Sequence, residues 1–219
     1  GPINTIKNKI LKNLFGADLT QALEFLARGV AGHYEDKHWA RYTGNRNCGK
    51  GILAALLQSA LGNYFETISS ERLIKRKQLC KTDVEKDKSW AFPLEFTRVA
   101  IAEEMSANNP TTEKAENVID GNEVKHLMSG GDEQKGRALY QEARSFVVQA
   151  RLFISGNQTL PVLPSDCLKT CASFNSVVQF KSQAELNRLA EDDPRKKTWK
   201  LSDPNLKKKL LLVQQVFLK

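Results

Sequence analysis

Apolar residues near the N-terminus recur in a helical rhythm. Leu11, Leu14 and Phe15, then Leu19, Ala22, Leu23, Phe25 and Leu26, stand three and four apart, which gathers them on one face of a 3.6-residue turn. The pattern predicts helix from Ile3 to about His33, broken at Gly16, with Asp18 as the cap of the second helix. At residue 39 the rhythm changes. "WARYTG", Trp39 to Gly44, is an aromatic run that predicts a short buried strand. A Gly-rich loop follows. Ile52, Leu53, Leu56, Leu57, Ala60 and Leu61 then mark one helical face, and Gly62 sits where that helix should stop.

Glu71 to Lys88 is polar and lysine-rich and reads as helix and loop. "FTRVAIAEEMS", Phe96 to Ser106, predicts an apolar strand ending in two carboxylates, and "NNPTTEKAEN" a turn and the start of a helix. Val118 to Met128 reads as helix, with Val124 and Leu127 inward. The charged, Gly-rich "SGGDEQKGRALYQEARSFVVQ" predicts a hairpin-like excursion. "ARLFISGNQ", Ala150 to Gln158, is another buried strand; a loop through Pro161 and Pro164 leads to a final strand, Val177 to Phe180. Helices alternate with strands that are apolar throughout, which argues for an α/β fold whose sheet is covered on both faces. The expected organisation is a small helical collar over 1–35, a core over 36–185 and a basic C-terminal helical segment over 186–219. The run "LLLVQQVFL" at its end is expected to pack against something past the chain's end. Gly1-Pro2 reads as a protease scar left by an expression tag.

Composition narrows the class. Hydrophobic residues make up 41% and charged ones 26% of 219 residues, an ordinary globular balance. No apolar run approaches the roughly 20 residues of a membrane span, so no membrane association is expected. A net charge of +8 favours a polyanionic partner, nucleic acid first. Cys48, Cys80, Cys167 and Cys171 fit no zinc spacing and read as free thiols of a reducing, intracellular compartment. His33, His38 and His126 are scattered and suggest neither a metal site nor a triad.

The chemistry concentrates in three segments. In "YTGNRNCGKG" the loop Gly44-Asn45-Arg46-Asn47-Cys48-Gly49-Lys50-Gly51 nearly matches the phosphate-binding pattern G-x-x-x-x-G-K-[ST]. Successive backbone N–H groups in such a turn form an anion nest, and the helix that begins there adds its positive end. Lys50 would reach the β- and γ-phosphates of ATP. Gly51 stands where a hydroxyl normally contributes one ligand to Mg²⁺; because magnesium readily keeps waters, a water can fill the gap. In "RVAIAEE" the strand delivers Glu103 and Glu104 to its C-terminal end, where open α/β sheets bind ligands. Glu103 would hold Mg²⁺, directly or through water, and Glu104 would polarise the attacking water. In "LFISGN", Asn157 can donate and accept between the γ-phosphate and that water. The bland alternative to the first segment is a Gly-rich surface turn with a chance lysine, and to the second a solvated strand end.

Taken in order, "GNRNCGKG", "VAIAEE" and "FISGN" resemble the superfamily 3 helicases of DNA viruses, and more narrowly the poxvirus-type primase-helicases of large DNA viruses. The most specific match is "LMSGGDEQKGRALY". Gly130, Gly131, Asp132, Arg137, Leu139 and Tyr140 fit that group's G-G-D-x-x-x-A-R-x-L-Y element, with Gly136 in place of Ala. "WKLSDPNLKKKL" also resembles a late segment of the group. The resemblance implies a P-loop NTPase core of the AAA+ type with a mostly parallel sheet, and ATP and Mg²⁺ as cofactors. It implies a homo-hexameric ring that translocates on single-stranded or forked DNA and unwinds duplex, a primase domain upstream in the full-length protein, and work at a viral replication site in the host cell. Lys50, Glu103, Glu104 and Asn157 would be its catalytic residues, and Lys135 and Arg137 would face the pore and grip DNA. Two departures stand out. One is Gly51. The other is that Ser173 and Phe174 occupy the positions where relatives carry arginines that reach a neighbour's ATP. Lys169 is the nearest cation, Arg188 lies further on, and Arg46 is a speculative substitute. Related readings are an AAA+ remodelling or loader ATPase, and a degenerate nucleotide- or DNA-binding scaffold without turnover.

Overall fold

The computed structural model describes residues 6–75, 88–105, 108–109, 112–137 and 140–210. Helical turns over Ile6–Leu11 run into α1 (Lys12–Phe15), and after a break at Gly16–Asp18 comes α2 (Leu19–Val30). Gly16 has φ 54°, so it turns the chain at the break. Asp18 stands at the cap position, but its side chain makes no capping hydrogen bond. The central sheet is built from β1 (Trp39–Gly44), β2 (Phe65–Ser69), β3 (Val99–Met105), β4 (Arg151–Gly156) and β5 (Cys171–Ser176). All pairings are parallel, in the order β5-β1-β4-β3-β2. Between β1 and β2 runs α3 (Lys50–Leu61), which Gly62, again at φ 54°, terminates.

Period-two alternation sends successive strand residues to opposite faces, and both faces are buried. Val99 and Ile101 of β3, Phe153 of β4 and Phe174 of β5 pack with Leu14, Phe15, Phe25, Leu53 and Leu57 of the helices. Ala100, Ala102, Leu152 and Ile154 face the other way, against Leu94, Val124, Leu127 and Phe146. The first face carries α1, α2 and α3. The second carries α4 (Gly121–Leu127), capped by Asp120, and a hairpin of Gln134–Gly136 with Arg144–Phe146.

Three expectations are revised. Val177–Phe180 is not the last sheet strand: β5 is Cys171–Ser176, and Val177 is exposed. β5 lies at the sheet's edge, paired on one side alone, so it can keep polar residues at alternate positions and lacks an apolar signature. The short strand Gln179–Lys181 pairs instead with Trp199–Leu201, outside the main sheet. The segment from Thr112 does not begin a helix: Thr112–Glu116 pairs antiparallel with Asn108–Asn109, a tertiary pairing that overrides the helical propensity of its Glu, Lys and Ala. Helix begins at Gly121 rather than Val118, because Ile119–Asp120 pairs with Val162–Leu163. Most of Glu71–Lys88, the run "LLLVQQVFL" and Cys80 lie outside the described residues; Cys48, Cys167 and Cys171 are free thiols. Among the described residues, no helix is long and apolar enough to cross a membrane.

The base of the sheet is held by a buried charge. Arg151, the first residue of β4, is 1% exposed. Its Nη2 donates to Asp36 Oδ2 at 2.5 Å, its Nε donates to the His33 carbonyl, and its guanidinium lies 5.0 Å over the Phe25 ring. Arg28 shares the same Asp36 oxygen at 3.0 Å. Burial pushes the Asp36 carboxyl up, but hydrogen bonds from Arg151, the His38 amide and Arg28, with the Arg151 charge, outweigh it and hold the group at about 2. A carboxyl depressed in the folded state stabilises above its unfolded pKa and loses that contribution as pH falls through the folded value. Between about pH 4 and pH 2 the protein should lose roughly 2 kcal/mol from this group. Asp36→Asn leaves Arg151 buried without its counter-charge. It should cost roughly 3 kcal/mol at neutral pH and flatten that acid limb. Urea midpoints measured across the acid range check both expectations.

Candidate functional site

The site forms where β1, β4 and β3 end side by side. Tyr42 pairs with Ser155 and Thr43 with Gly156, while Ala102 pairs with Ile154 and Met105 with Gly156. The loop after β1 and the carboxylate of β3 are therefore two strand spacings apart, about 10 Å. The residue that follows β4, Asn157, lies between them.

Local sequence shapes the loop. Asn47 has φ 63° and Gly49 φ 97°. A Cβ on Gly49 would come within 2.4 Å of Leu14 Cδ2, and one on Gly44 within 2.7 Å of Cys48 Sγ, distances no side chain tolerates. Cys48, 1% exposed, fills the inside of the turn. The Phe180 amide donates to the Asn47 carbonyl at 2.8 Å, so the short strand Gln179–Lys181 braces the loop from outside. Helix α3 starts at Lys50, directing its N-terminal amides into the turn.

Lys50 Nζ donates to the Gly44 carbonyl at 2.7 Å, the Asn45 carbonyl at 3.3 Å and Asn157 Oδ1 at 2.8 Å, with Cys48 Sγ at 3.5 Å. The structure thus brings Lys50 and Asn157 into direct contact. Glu103 lines the same cleft of about 1490 Å³ as Arg46 to Gly51 and Asn157, and makes no ion pair among the described residues. The side chain of Glu104 lies outside the described residues. Gly51 is exposed, and a Cβ there would meet nothing nearer than Lys207 Nζ at 3.8 Å.

The expected DNA-contacting residues stand apart from this cleft. Lys135 lies exposed in the first strand of the hairpin, and Arg137 follows that strand, half-buried. The hairpin is anchored through Gly136, whose missing Cβ admits the Phe92 ring, and through Arg144, 4.2 Å over that ring and paired to Glu95 at 2.7 Å. Tyr140, in the connection between its strands, is 96% exposed at φ 61°. Its place in the sequence motif gives no sign of this exposure. Of the positions weighed for an arginine, Phe174 is wholly buried and Ser173 accepts from Arg41 at 3.1 Å. Among the described residues no three His, Cys, Asp or Glu cluster, as a metal centre built wholly from protein ligands would require. His33 and His38 pair with Glu35 and Asp36.

Two neighbouring glycines should behave oppositely. Gly49→Ala forces a left-handed residue against Leu14 and should destabilise by about 1–3 kcal/mol. Gly51→Ala adds a methyl within the first helical turn at no more than ordinary contact distance from Lys207 Nζ. It should be neutral or stabilising by up to about 1 kcal/mol. Chemical denaturation of the two variants reads the difference.

No family model matches the chain. It is 29% identical over 161 residues to the protein named "Putative helicase V13" of the Sputnik virophage, a match covering 72% of this chain and 20% of that protein. Among solved structures it is similar to the C-terminal region of NrS-1, with a TM-score of 0.60 at 14% identity, covering 97% of this chain and 43% of that one. It is also similar to JCV helicase, with a TM-score of 0.50 at 14% identity, covering 95% of this chain and 50% of that one. The chain spans a fifth of the virophage protein and less than half of the NrS-1 region. The fold is shared with the NrS-1 region and with JCV helicase, and the sequence is similar to the virophage protein.

Proposed function

We propose that this chain is the motor domain of a DNA helicase: it hydrolyses ATP in the cleft and couples hydrolysis to movement along single-stranded or forked DNA as a ring, in the hexameric form the resemblance implies. The observation that carries the reading is the convergence of Lys50, Asn157 and Glu103 at the ends of three adjacent parallel strands. The residues present fit a nucleotide with its metal: the loop has room for backbone amides to approach phosphates because Gly44 and Gly49 carry no Cβ, and Glu103 is an uncommitted carboxylate. When bound, Mg²⁺ supplies neutralisation of phosphate charge. Glu103, assisted by waters in place of a hydroxyl at Gly51, would hold it.

The chain's own residues do the rest. Lys50 exchanges its carbonyl partners for phosphate oxygens and holds them by charge. That exchange frees the Asn157 amide, which can then orient the attacking water. Glu104 accepts the water's proton. On the opposite face of the sheet, Lys135 and Arg137 contact DNA phosphates, and Tyr140 offers a ring on which a base can stack.

A second reading, a degenerate nucleotide- or DNA-binding scaffold without turnover, is favoured by Gly51 and by Ser173 and Phe174 at the positions of the missing arginines. It predicts nucleotide binding without turnover, and no effect of Glu104→Gln on the lifetime of bound nucleotide.

Steady-state ATP hydrolysis with and without single-stranded DNA, at a concentration where assembly is verified, decides between them. The motor reading expects turnover that rises with DNA. Lys50→Ala and Asn157→Ala should each lower it by roughly 10²-fold. No turnover in an assembled ring would sink it. For the hairpin, Lys135→Ala should weaken single-stranded DNA binding irrespective of sequence and reduce the slope of log affinity against log salt by about 1. An unchanged slope would remove the hairpin from the DNA path.

A further inference from the structure

Past Leu201, Ser202, Asp203, Leu206, Lys207 and Lys209 line the cleft beside the phosphate loop. Asp203 lies just before the helical turn that starts at 206: its Oδ1 accepts from the Asn205 amide at 2.9 Å, and its Oδ2 accepts from Lys209 Nζ at 2.6 Å. Leu206 and Leu210, four residues apart, pack into the same core as Leu14 and Leu53. With the backbone fixed at both ends of that turn, Lys207 is directed at the phosphate loop. Its Nζ lies 3.8 Å from where a Cβ on Gly51 would stand, beside the position of the absent metal-ligating hydroxyl.

Charge in the cleft is unbalanced. Lys9, Arg46, Lys50, Lys200, Lys207 and Lys209 line it against Glu103, Glu185 and Asp203. Two of those carboxylates are already engaged: Glu185 with Lys181 and the Ser182 amide, Asp203 with Lys209. Lys50 is held by neutral oxygens and the Cys48 sulfur alone, and Lys207 has no ion pair among the described residues. Such an excess of cations around one cleft favours a multivalent anion.

We propose that Lys207 is a second phosphate-binding cation of this site, delivered in cis by the C-terminal turn, and that it supplies next to Gly51 part of the positive charge that a fully ligated metal would bring. The inference rests on the nucleotide-binding reading above. Its consequence is that polyphosphate binding survives removal of magnesium better than in a loop that relies on a hydroxyl-bound metal, and that docking of the C-terminal turn and occupancy of the cleft favour each other.

Calorimetric titration of ADP into the protein, in excess EDTA and in Mg²⁺, tests it. Lys207→Ala should weaken ADP roughly tenfold in EDTA, the loss of one charge-assisted contact, and less in Mg²⁺. Lys207→Arg should stay near the parent. Lys208→Ala, which removes the same charge from the neighbouring exposed position outside the cleft, should change little. If Lys207→Ala and Lys208→Ala weaken ADP equally, or neither does while Lys50→Ala abolishes binding, the phosphate role of Lys207 is overturned and the nucleotide site stands. If the parent binds no ADP in either condition, the nucleotide reading falls and this inference with it.

Discussion

A guanidinium buried to 1% exposure must find its partners within the protein, and Arg151 finds them in three different places: the Asp36 carboxylate, the His33 carbonyl and the face of Phe25. All three belong to the N-terminal helical segment or to the connection that follows it. Arg151 is also the first residue of the strand that runs between the phosphate-loop strand and the carboxylate strand. Satisfying that one charge therefore fixes where the helices sit on the sheet and where the central strand begins. Gly29 belongs to the same arrangement, since a Cβ there would meet the Arg151 side chain at 3.1 Å. A buried pair of this kind need not add net stability over apolar packing, but it specifies one register.

Six residues later, just past the end of the same strand, the chain reaches Asn157 in the cleft. Because β4 is parallel to both neighbours, anything that shifts its start along the sheet shifts Asn157 relative to Lys50 and Glu103 by the same amount. Base and tip of the sheet are thus coupled through one extended segment. The two covered faces divide the labour: the helical face and the C-terminal turn enclose the phosphate cleft, and the opposite face carries the hairpin with Lys135 and Tyr140. The strands between them are the shared wall through which any coupling has to pass.

Much of this was legible from residue order, for identifiable reasons. The loop and α3 could be read because the spacing from Gly44 to Lys50 and the face from Leu53 to Leu57 are local features. The two-sided burial of β3 followed from a run without polar interruption, and Val99 and Ile101 do share a face. β5 was misplaced because an edge strand with Ser173 and Asn175 facing out shows little beyond Phe174. The pairing of Thr112–Glu116 was missed because a polar segment rich in Glu, Lys and Ala favours helix when no partner strand is known. Lys207 was invisible for a different reason. "NLKKKL" announces a basic run, but which lysine faces the loop depends on Leu206 and Leu210 docking onto a core formed by distant residues.

The resting contacts of Lys50 also set a threshold for entry. An ammonium has three donors, and here two carbonyls and one amide oxygen already stand within reach of them. A weakly charged anion arriving at the loop offers little that these oxygens do not. Chloride or acetate would have to break sound hydrogen bonds for one diffuse charge, whereas a polyphosphate presents several oxygens and several charges together. Under the proposed nucleotide-binding role the loop would act in this way as a valence discriminator. Small monovalent anions would not hold it shut, and the Asn157 amide would stay tethered to Lys50 until a polyphosphate displaced it.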